Sequence, residues 1–330
     1  MKTWDYLNTR TNASAQINNT AIIQPKPPFK WAGSKNRMHK RYIASGFFPS
    51  SEPDLFVDMF SGTAAVSMWV KKKFPNTSIV INEACQELIT MYQCMKKANY
   101  PAFEKEYLKH VNKGYVAYTT KDDRKKYYYG LRDQYALYPN TMSTTEQAAA
   151  LMYMLQTGFN GIWQTSENFN FRYASPAGLM TWKPTGSLFD TEKLKIYAEF
   201  IDSCILMSGD FENTSCFFGK GNWFYADPPY RLSFAKYNSA GVFSDTDQSR
   251  LCDFLNVASD SGCLVSLSNR EHMKQGWVPP VGTIYDGWFA SKFDDGFNCR
   301  YFNVKYTAGR NNTGAGSKST EVLIKNYVGL

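Results

Sequence analysis

Two short apolar runs enclosing a glycine turn and a helical stretch constrain the fold of this 330-residue chain most. Residues 54–60 (DLFVDMF) are apolar enough for a buried strand, and Ser61-Gly62-Thr63 ends them. Residues 64–74 (AAVSMWVKKKF) read as a helix, residues 78–84 (SIVINEA) as a second strand, and a helical pattern follows to about Lys97. Strand, turn, helix, strand is the opening of a parallel α/β sheet, because a parallel return needs a crossover long enough to hold a helix. The pattern resumes at 223–230 (WFYADPPY). A helix is expected near 245–259, a strand at 263–269 (CLVSLSN) and a hairpin of strands near 300–307 and 320–327.

Residues 101–215 read differently. Helix-like runs at 101–111, 122–137, 144–158 and 190–203 surround a polar, aromatic loop at 158–186. A loop of that length inside a compact enzyme is usually functional. The expected organisation is an N-terminal arm (1–25), one α/β domain built from 26–100 and 216–330, and a mostly helical insertion at 101–215.

Composition excludes several classes. With 43% hydrophobic residues the chain can bury a core. No apolar run approaches the ~20 residues of a membrane helix, and no apolar leader core precedes the first basic cluster. Seven cysteines, an odd number without a CxxC pair, suit a reduced cytoplasmic protein. His39, His110 and His272 are too scattered for a zinc site, so no metal is expected. Of the net charge of +8, residues 1–41 hold eight basic groups against one acid, which permits a polyanionic partner.

Three segments carry chemistry. Asp227-Pro228-Pro229-Tyr230 follows a strand, at the carboxyl end where open sheets bind ligands. Two prolines fix the backbone and leave their carbonyls to accept. With the aspartate and the tyrosine ring they suit a planar group bearing an exocyclic amine. The same residues also suit a plain Asp-Pro turn. Next, Asp58-Met59-Phe60-Ser61-Gly62 makes a tight turn into a helix, yet neither GxGxxG nor GxxxxGK[ST] is present. A smaller adenosine-containing ligand fits better than a pyrophosphate. Glu83 follows the second strand, near the ~20-residue spacing at which a carboxylate meets ribose hydroxyls. Finally, Trp31-Ala32-Gly33-Ser34-Lys35 sets an aromatic, a glycine and a lysine together, which suits a small anionic ligand.

In chain order the segments resemble the Dam-type DNA adenine-N6 methyltransferases. The resemblance covers residues 27–327. It rests on Lys30 to Lys35 (with Ser34 where the family has a second glycine), Asp58 to Gly62, Asn82-Glu83, Asp227 to Tyr230, Leu267-Ser268-Asn269 and a terminal EVLIKNY at 321–327. It implies a Rossmann-like class I methyltransferase sheet with an inserted DNA-recognition domain, and S-adenosylmethionine as cofactor. Trp31, Lys35, Asp58, Phe60, Gly62, Glu83 and Asp227 would form the cofactor pocket. Asp227 and the Pro228 carbonyl would hold the adenine amine, with Pro229 fixing the turn and Tyr230 stacking on a base flipped from duplex DNA.

For DNA contact, residues 109–132 are rich in cations, among them Lys121, Arg124, Lys125 and Lys126. Arg132 falls in a family-like LRxxY. Asn160, Gln164 and Arg172 lie in a loop resembling the family's base-reading element. Ile162-Trp163-Gln164-Thr165 stands where GATC-specific members carry an arginine, so that site specificity does not carry over. Double-stranded DNA is the implied partner; the sequence leaves open a monomer or a dimer on it, and an enzyme that stands alone, pairs with a cognate restriction enzyme or comes from a phage. The competing readings are a cytosine-N4 or RNA adenine methyltransferase of the same fold, a small-amine methyltransferase, and a catalytically inactive DNA-binding module. Cytosine-N4 enzymes usually carry serine where Asp227 stands, and an inactive module has no need of both intact motifs.

Overall fold

The computed structural model describes residues 26–31, 33–178, 188–231, 243–271, 288–294, 296–305 and 318–329. The N-terminal arm, part of the 158–186 loop and the turn joining the last two strands lie outside them. Seven strands form one sheet: β1 (Leu55–Asp58), β2 (Ser78–Glu83), β3 (Ile205–Ser208), β4 (Trp223–Ala226), β5 (Leu264–Glu271), β6 (Asn298–Lys305) and β7 (Lys318–Lys325). Their spatial order is β3-β2-β1-β4-β5-β7-β6. The first five are parallel, and β7 is antiparallel to both β5 and β6. The mixed α/β sheet with flanking helices is the Rossmann-like class I methyltransferase architecture expected.

Strand parity explains the layering. Phe56, Ile79, Ile81, Trp223, Tyr225 and Leu323 are buried on one face, whereas Val57, Val80, Phe224, Val265, Leu267 and Ile324 are buried on the other. A parallel strand covered on both faces reads as a continuous apolar run, which is why 54–60 and 78–84 show no alternation. The second face is closed by α8 (Asp245–Asp260), which opens on a Ser244–Asp247 capping box. The first face carries α1 (His39–Ala44), α2 (Ala65–Lys73) and α3 (Gln86–Met95). In α2, Lys71, Lys72 and Lys73 occupy the last turn, where cations complement the helix dipole.

Among the described residues four further α-helices lie between β2 and β3 after α3: α4 (Tyr100–Val111), α5 (Lys121–Leu137), α6 (Thr144–Thr157) and α7 (Thr191–Asp202). Every residue from Ala148 to Thr157 of α6 is buried, and this helix packs against α3, α4 and α5. An all-round apolar helix of this kind forms the middle of a helical layer. The hydrophobic cluster of this layer is continuous with that of the sheet's first face.

The structure differs from the expected insertion at one end. β3 is an edge strand of the sheet, paired with β2 from Val80↔Ile205 to Glu83↔Ser208, although it falls within 101–215. Its four residues are all half-buried, as an edge position dictates, so no periodicity announced it. Among the described residues no helix is long and apolar enough to cross a membrane, and no group of three or more His, Cys, Asp or Glu side chains could hold a metal ion.

Candidate active site

The chain order reverses between β1 and β4, which are neighbours in the sheet although β2 and β3 follow β1 on one side and β5 follows β4 on the other. Such a switch point opens a crevice at the carboxyl ends of the strands. Asp58, Glu83 and Asp227 end or follow β1, β2 and β4 at this edge.

One wall is built on the Gly62 turn. Gly62 has φ +48°, and a Cβ there would stand 3.0 Å from the Trp31 ring, so the turn needs glycine for its backbone and for the packed indole. The Gly62 N–H donates to Glu83 Oε2 at 2.9 Å, and the Cys85 N–H donates to Oε1 at 3.0 Å. The Tyr92 hydroxyl donates to the Gly62 carbonyl. Glu83 thus locks the turn from the neighbouring strand. Burial raises its pKa, opposed by these backbone donors. Asn82 spans the same edge, donating to Met59 O at 3.0 Å and Gly209 O at 3.2 Å. Phe60 packs against Phe211, centroids 5.6 Å apart, beyond the end of β3.

Asp58 is buried, and its Oδ2 accepts from Ser67 at 2.5 Å. Burial pushes its carboxyl up to about 7. Asp58 Oδ1 and Ser61 Oγ are buried without a hydrogen-bond partner among the described residues. Buried polar groups ordinarily have partners. Acceptors of this kind, beside Glu83 and an aromatic wall, fit a ligand carrying an ammonium group, hydroxyls and a flat ring.

The second wall is Asp227 to Tyr230. Asp227 Oδ2 accepts from Lys35 Nζ at 2.6 Å, and the same ammonium donates to Gly33 O at 3.1 Å and stands 4.7 Å over the Tyr230 ring. Burial pushes the Asp227 carboxyl up to about 6 despite the lysine. Burial alone would lower the Lys35 ammonium, but the Asp227 carboxylate raises it above its ordinary value. Asp227 Oδ1 makes no hydrogen bond of sound geometry among the described residues, although Ser268 favours its ionised form. The Tyr230 hydroxyl meets Ser268 Oγ at 2.9 Å, and Tyr42 meets the same oxygen at 2.6 Å. Gln248, fully buried on α8, donates to Pro229 O at 2.8 Å and accepts from Asn269 at 2.9 Å. The turn is therefore held from α8 and β5, with the Asp227 carboxylate and the Tyr230 ring in one place.

The structure brings Trp31 onto Gly62, Glu83 under Gly62, and Lys35 onto Asp227 and Tyr230. Lys35, expected among the cofactor residues, has its ammonium on the carboxylate expected to hold the amine. The sequence did not single out Tyr42, Gln248 or Phe211. Asn269 stood out only through its LSN segment.

The DNA-contact candidates are more scattered. Arg124 Nε donates to Tyr115 O at 3.0 Å and Tyr118 O at 2.9 Å, with its guanidinium 3.9 Å from the Tyr115 ring centroid. Arg132 pairs with Asp133 and lies over the Tyr129 and Phe169 rings. Arg172 donates to Gln147 at 2.8 Å, lies 3.5 Å from Glu87 and stacks on Tyr135. Lys126, Asn160 and Gln164 are exposed, and Lys121 and Lys125 are half-buried. Trp31 meets Trp163 at 5.3 Å, and a Cβ on Gly161 (φ +67°) would stand 2.7 Å from the Lys30 carbonyl carbon. The 158–164 turn is thereby pressed against the segment that lines the crevice.

A family model described as D12 class N6 adenine-specific DNA methyltransferase matches residues 31–288. The chain is 24% identical to the Type II methyltransferase M.MjaIII of Methanocaldococcus jannaschii over 285 residues, 82% of this chain and 91% of that one. It is 27% identical to the Type II methyltransferase M1.LlaDCHI of Lactococcus lactis subsp. cremoris over 321 residues, covering 92% and 96%. It is 25% identical to the Retron Ec67 DNA adenine methylase of Escherichia coli over 247 residues, covering 73% and 76%.

Proposed function

Because the chain belongs to the D12 class N6 adenine-specific DNA methyltransferases, and so methylates adenine N6 in DNA with S-adenosylmethionine, we propose that Asp227 to Tyr230 hold a flipped adenine of duplex DNA. The observation that carries this reading is the convergence of the Asp227 carboxylate and the Tyr230 face at one strand end. Cytosine N4 and RNA give way to adenine in DNA as the substrate.

S-adenosylmethionine supplies a methyl group on a sulfonium, which leaves readily and asks for no covalent catalyst. Glu83 is assigned to the ribose hydroxyls and the unpartnered acceptors of Asp58 and Ser61 to donors of the same ligand, with Trp31, Phe60 and Gly62 as its apolar cradle. Asp227 and the Pro228 carbonyl accept the two amine hydrogens. This favours a tetrahedral N6 whose lone pair is no longer delocalised into the ring. That lone pair would then be free to bond the methyl carbon, with the carbon–sulfur pair left on sulfur and one N6 proton released to solvent. Rate enhancement then comes from orientation and fixed dipoles.

Lys121, Lys125 and Lys126 are assigned to phosphates, and Asn160 and Gln164 to base edges. Arg124, Arg132 and Arg172, each engaged by protein groups, are assigned to shaping that surface. Replacing Lys121, Lys125 and Lys126 together with alanine should weaken binding about equally on all sequences. The slope of log affinity against log salt should fall by about one for each phosphate that no longer meets a lysine. A change in site preference would make these lysines base readers instead.

We further assign the chain to site-specific methylation, alone or beside a cognate restriction enzyme. Base-resolution mapping of N6-methyladenine in DNA from a methylation-free host expressing the chain tests this. Methyl groups confined to adenines of one short sequence are expected. Methylation scattered without sequence preference would overturn site specificity.

A further inference from the structure

Pro228 and Pro229 have a fixed φ and carry no N–H. The Asp-Pro-Pro-Tyr turn therefore cannot brace itself through those two positions. The torsions of Tyr230, the first residue past the prolines, decide where the ring stands.

Both peptide groups that flank Tyr230 are gripped from outside the turn. Gln248 Nε2 donates to Pro229 O at 2.8 Å, and the Arg231 N–H donates to Asn269 Oδ1 at 3.1 Å. Asn269 Nδ2 donates in turn to Gln248 Oε1 at 2.9 Å, which closes the two contacts into one clamp. The far end of the tyrosine meets Ser268, the neighbour of Asn269 on β5, with the hydroxyl 2.9 Å from Ser268 Oγ. None of these contacts takes the Pro228 carbonyl.

The clamp stands in an apolar setting. Gln248 and Asn269 are both fully buried. By strand parity Asn269 shares with Val265 and Leu267 the face that α8 covers, and Gln248 lies on the α8 stripe that continues through Leu251, Cys252 and Leu255. An apolar side chain of glutamine's volume would fill that place without the cost of burying an amide. A fully bonded buried polar network fixes one geometry, and that is what the amide adds here. Arg231 is also tied to the first turn of α8 by two 2.8 Å contacts with Asp245, but Asp245 is exposed and such a pair contributes little.

We propose that Gln248 and Asn269 are positioning residues for methyl transfer, which fix the Tyr230 ring beside the Asp227 carboxylate by holding the peptide groups on either side of it. The inference rests on the assignment of Tyr230 as the face on which the adenine stacks. A purely structural clamp would staple α8 to β5 and so change stability alone.

The test is single-turnover methylation of unmethylated genomic DNA by the full chain at saturating cofactor, with the DNA concentration varied. Gln248→Met keeps the volume and removes the bonds to Pro229 and Asn269. It should lower the limiting rate about tenfold, one neutral hydrogen bond's worth at the transition state. Half-saturating DNA and cofactor affinity should be unchanged. Gln248→Asn, whose amide is one methylene short, should fall between Gln248→Met and the parent. In a Tyr230→Ala background Gln248→Met should add no further loss, because the clamp acts through the ring. Leu255→Val, about two turns further along α8, should lower the melting temperature and leave the rate as it is. An unchanged rate for Gln248→Met, a loss carried by DNA affinity instead, additive losses with Tyr230→Ala, equal slowing by Leu255→Val, or failure of both Gln248 variants to fold would overturn the inference. Failure of the underlying assignment reads differently: Tyr230→Ala alone would then keep the parent rate.

Discussion

Asp227→Ala is expected to slow single-turnover methyl transfer by about a thousandfold, the scale seen when one preorganised group at a reacting centre is removed. DNA binding should persist, because the cations assigned to phosphates lie on a different part of the molecule. Labelled cofactor reports the first quantity and filter binding the second. Alanine also deprives Lys35 of its 2.6 Å partner, at a cost of about 3–5 kcal/mol to stability. Asp227→Asn separates the effects: it keeps the side chain's size and one acceptor while removing the charge. Melting temperature should fall less for asparagine than for alanine, with activity still lost in both. A rate within tenfold of the parent would remove Asp227 from the reacting centre.

Glu83→Ala should raise the cofactor dissociation constant about a hundredfold, or about 2.7 kcal/mol. Two losses combine. The Gly62 and Cys85 N–H groups lose a shared charged acceptor, and hydrogen bonds to charged groups contribute about 1.5–3 kcal/mol each. The ligand's hydroxyls lose theirs as well. Glu83→Gln cannot restore both backbone hydrogen bonds, since one of its two terminal atoms is a donor facing an N–H. Quenching of Trp31 fluorescence on titration with the cofactor measures the change. An affinity within threefold of the parent would show that the carboxylate serves the turn and not the ligand.

The parallel core and the position of its ligand edge were legible because they depend on local pattern. Apolar runs, a glycine between strand and helix, and Asp-Pro-Pro-Tyr after a strand all lie within a few residues of one another. What was not legible depends on side chains that meet from far apart. Lys35 and Asp227 are 192 positions apart, and the Trp31–Lys35 segment that singles out the lysine says nothing of the carboxylate it pairs with. α1 was hidden for the same reason, since HKRYIA reads as a charged cluster while the buried Tyr42 and the His39 ring against Trp69 anchor it. β3 was hidden because an edge strand of four half-buried residues carries no periodic signal. Arg172 illustrates the reverse error of emphasis: an arginine in a polar loop looks free, yet Gln147, Glu87 and Tyr135 surround it.

The short segment around Trp31 has a consequence of its own. Its indole meets both the Gly62 turn and Trp163, Lys30 backs Gly161, and Lys35 reaches Asp227. The Gly62 wall and the Asp227 wall of the crevice, to which we assign cofactor and base, and loop 158–164 thus share one strap of backbone. Their binding equilibria share a common reference state, and thermodynamic reciprocity applies between them. If the cofactor tightens the grip on DNA by some factor, DNA tightens the grip on the cofactor by the same factor. The order in which the two ligands arrive then alters the route to the ternary complex and leaves its stability untouched.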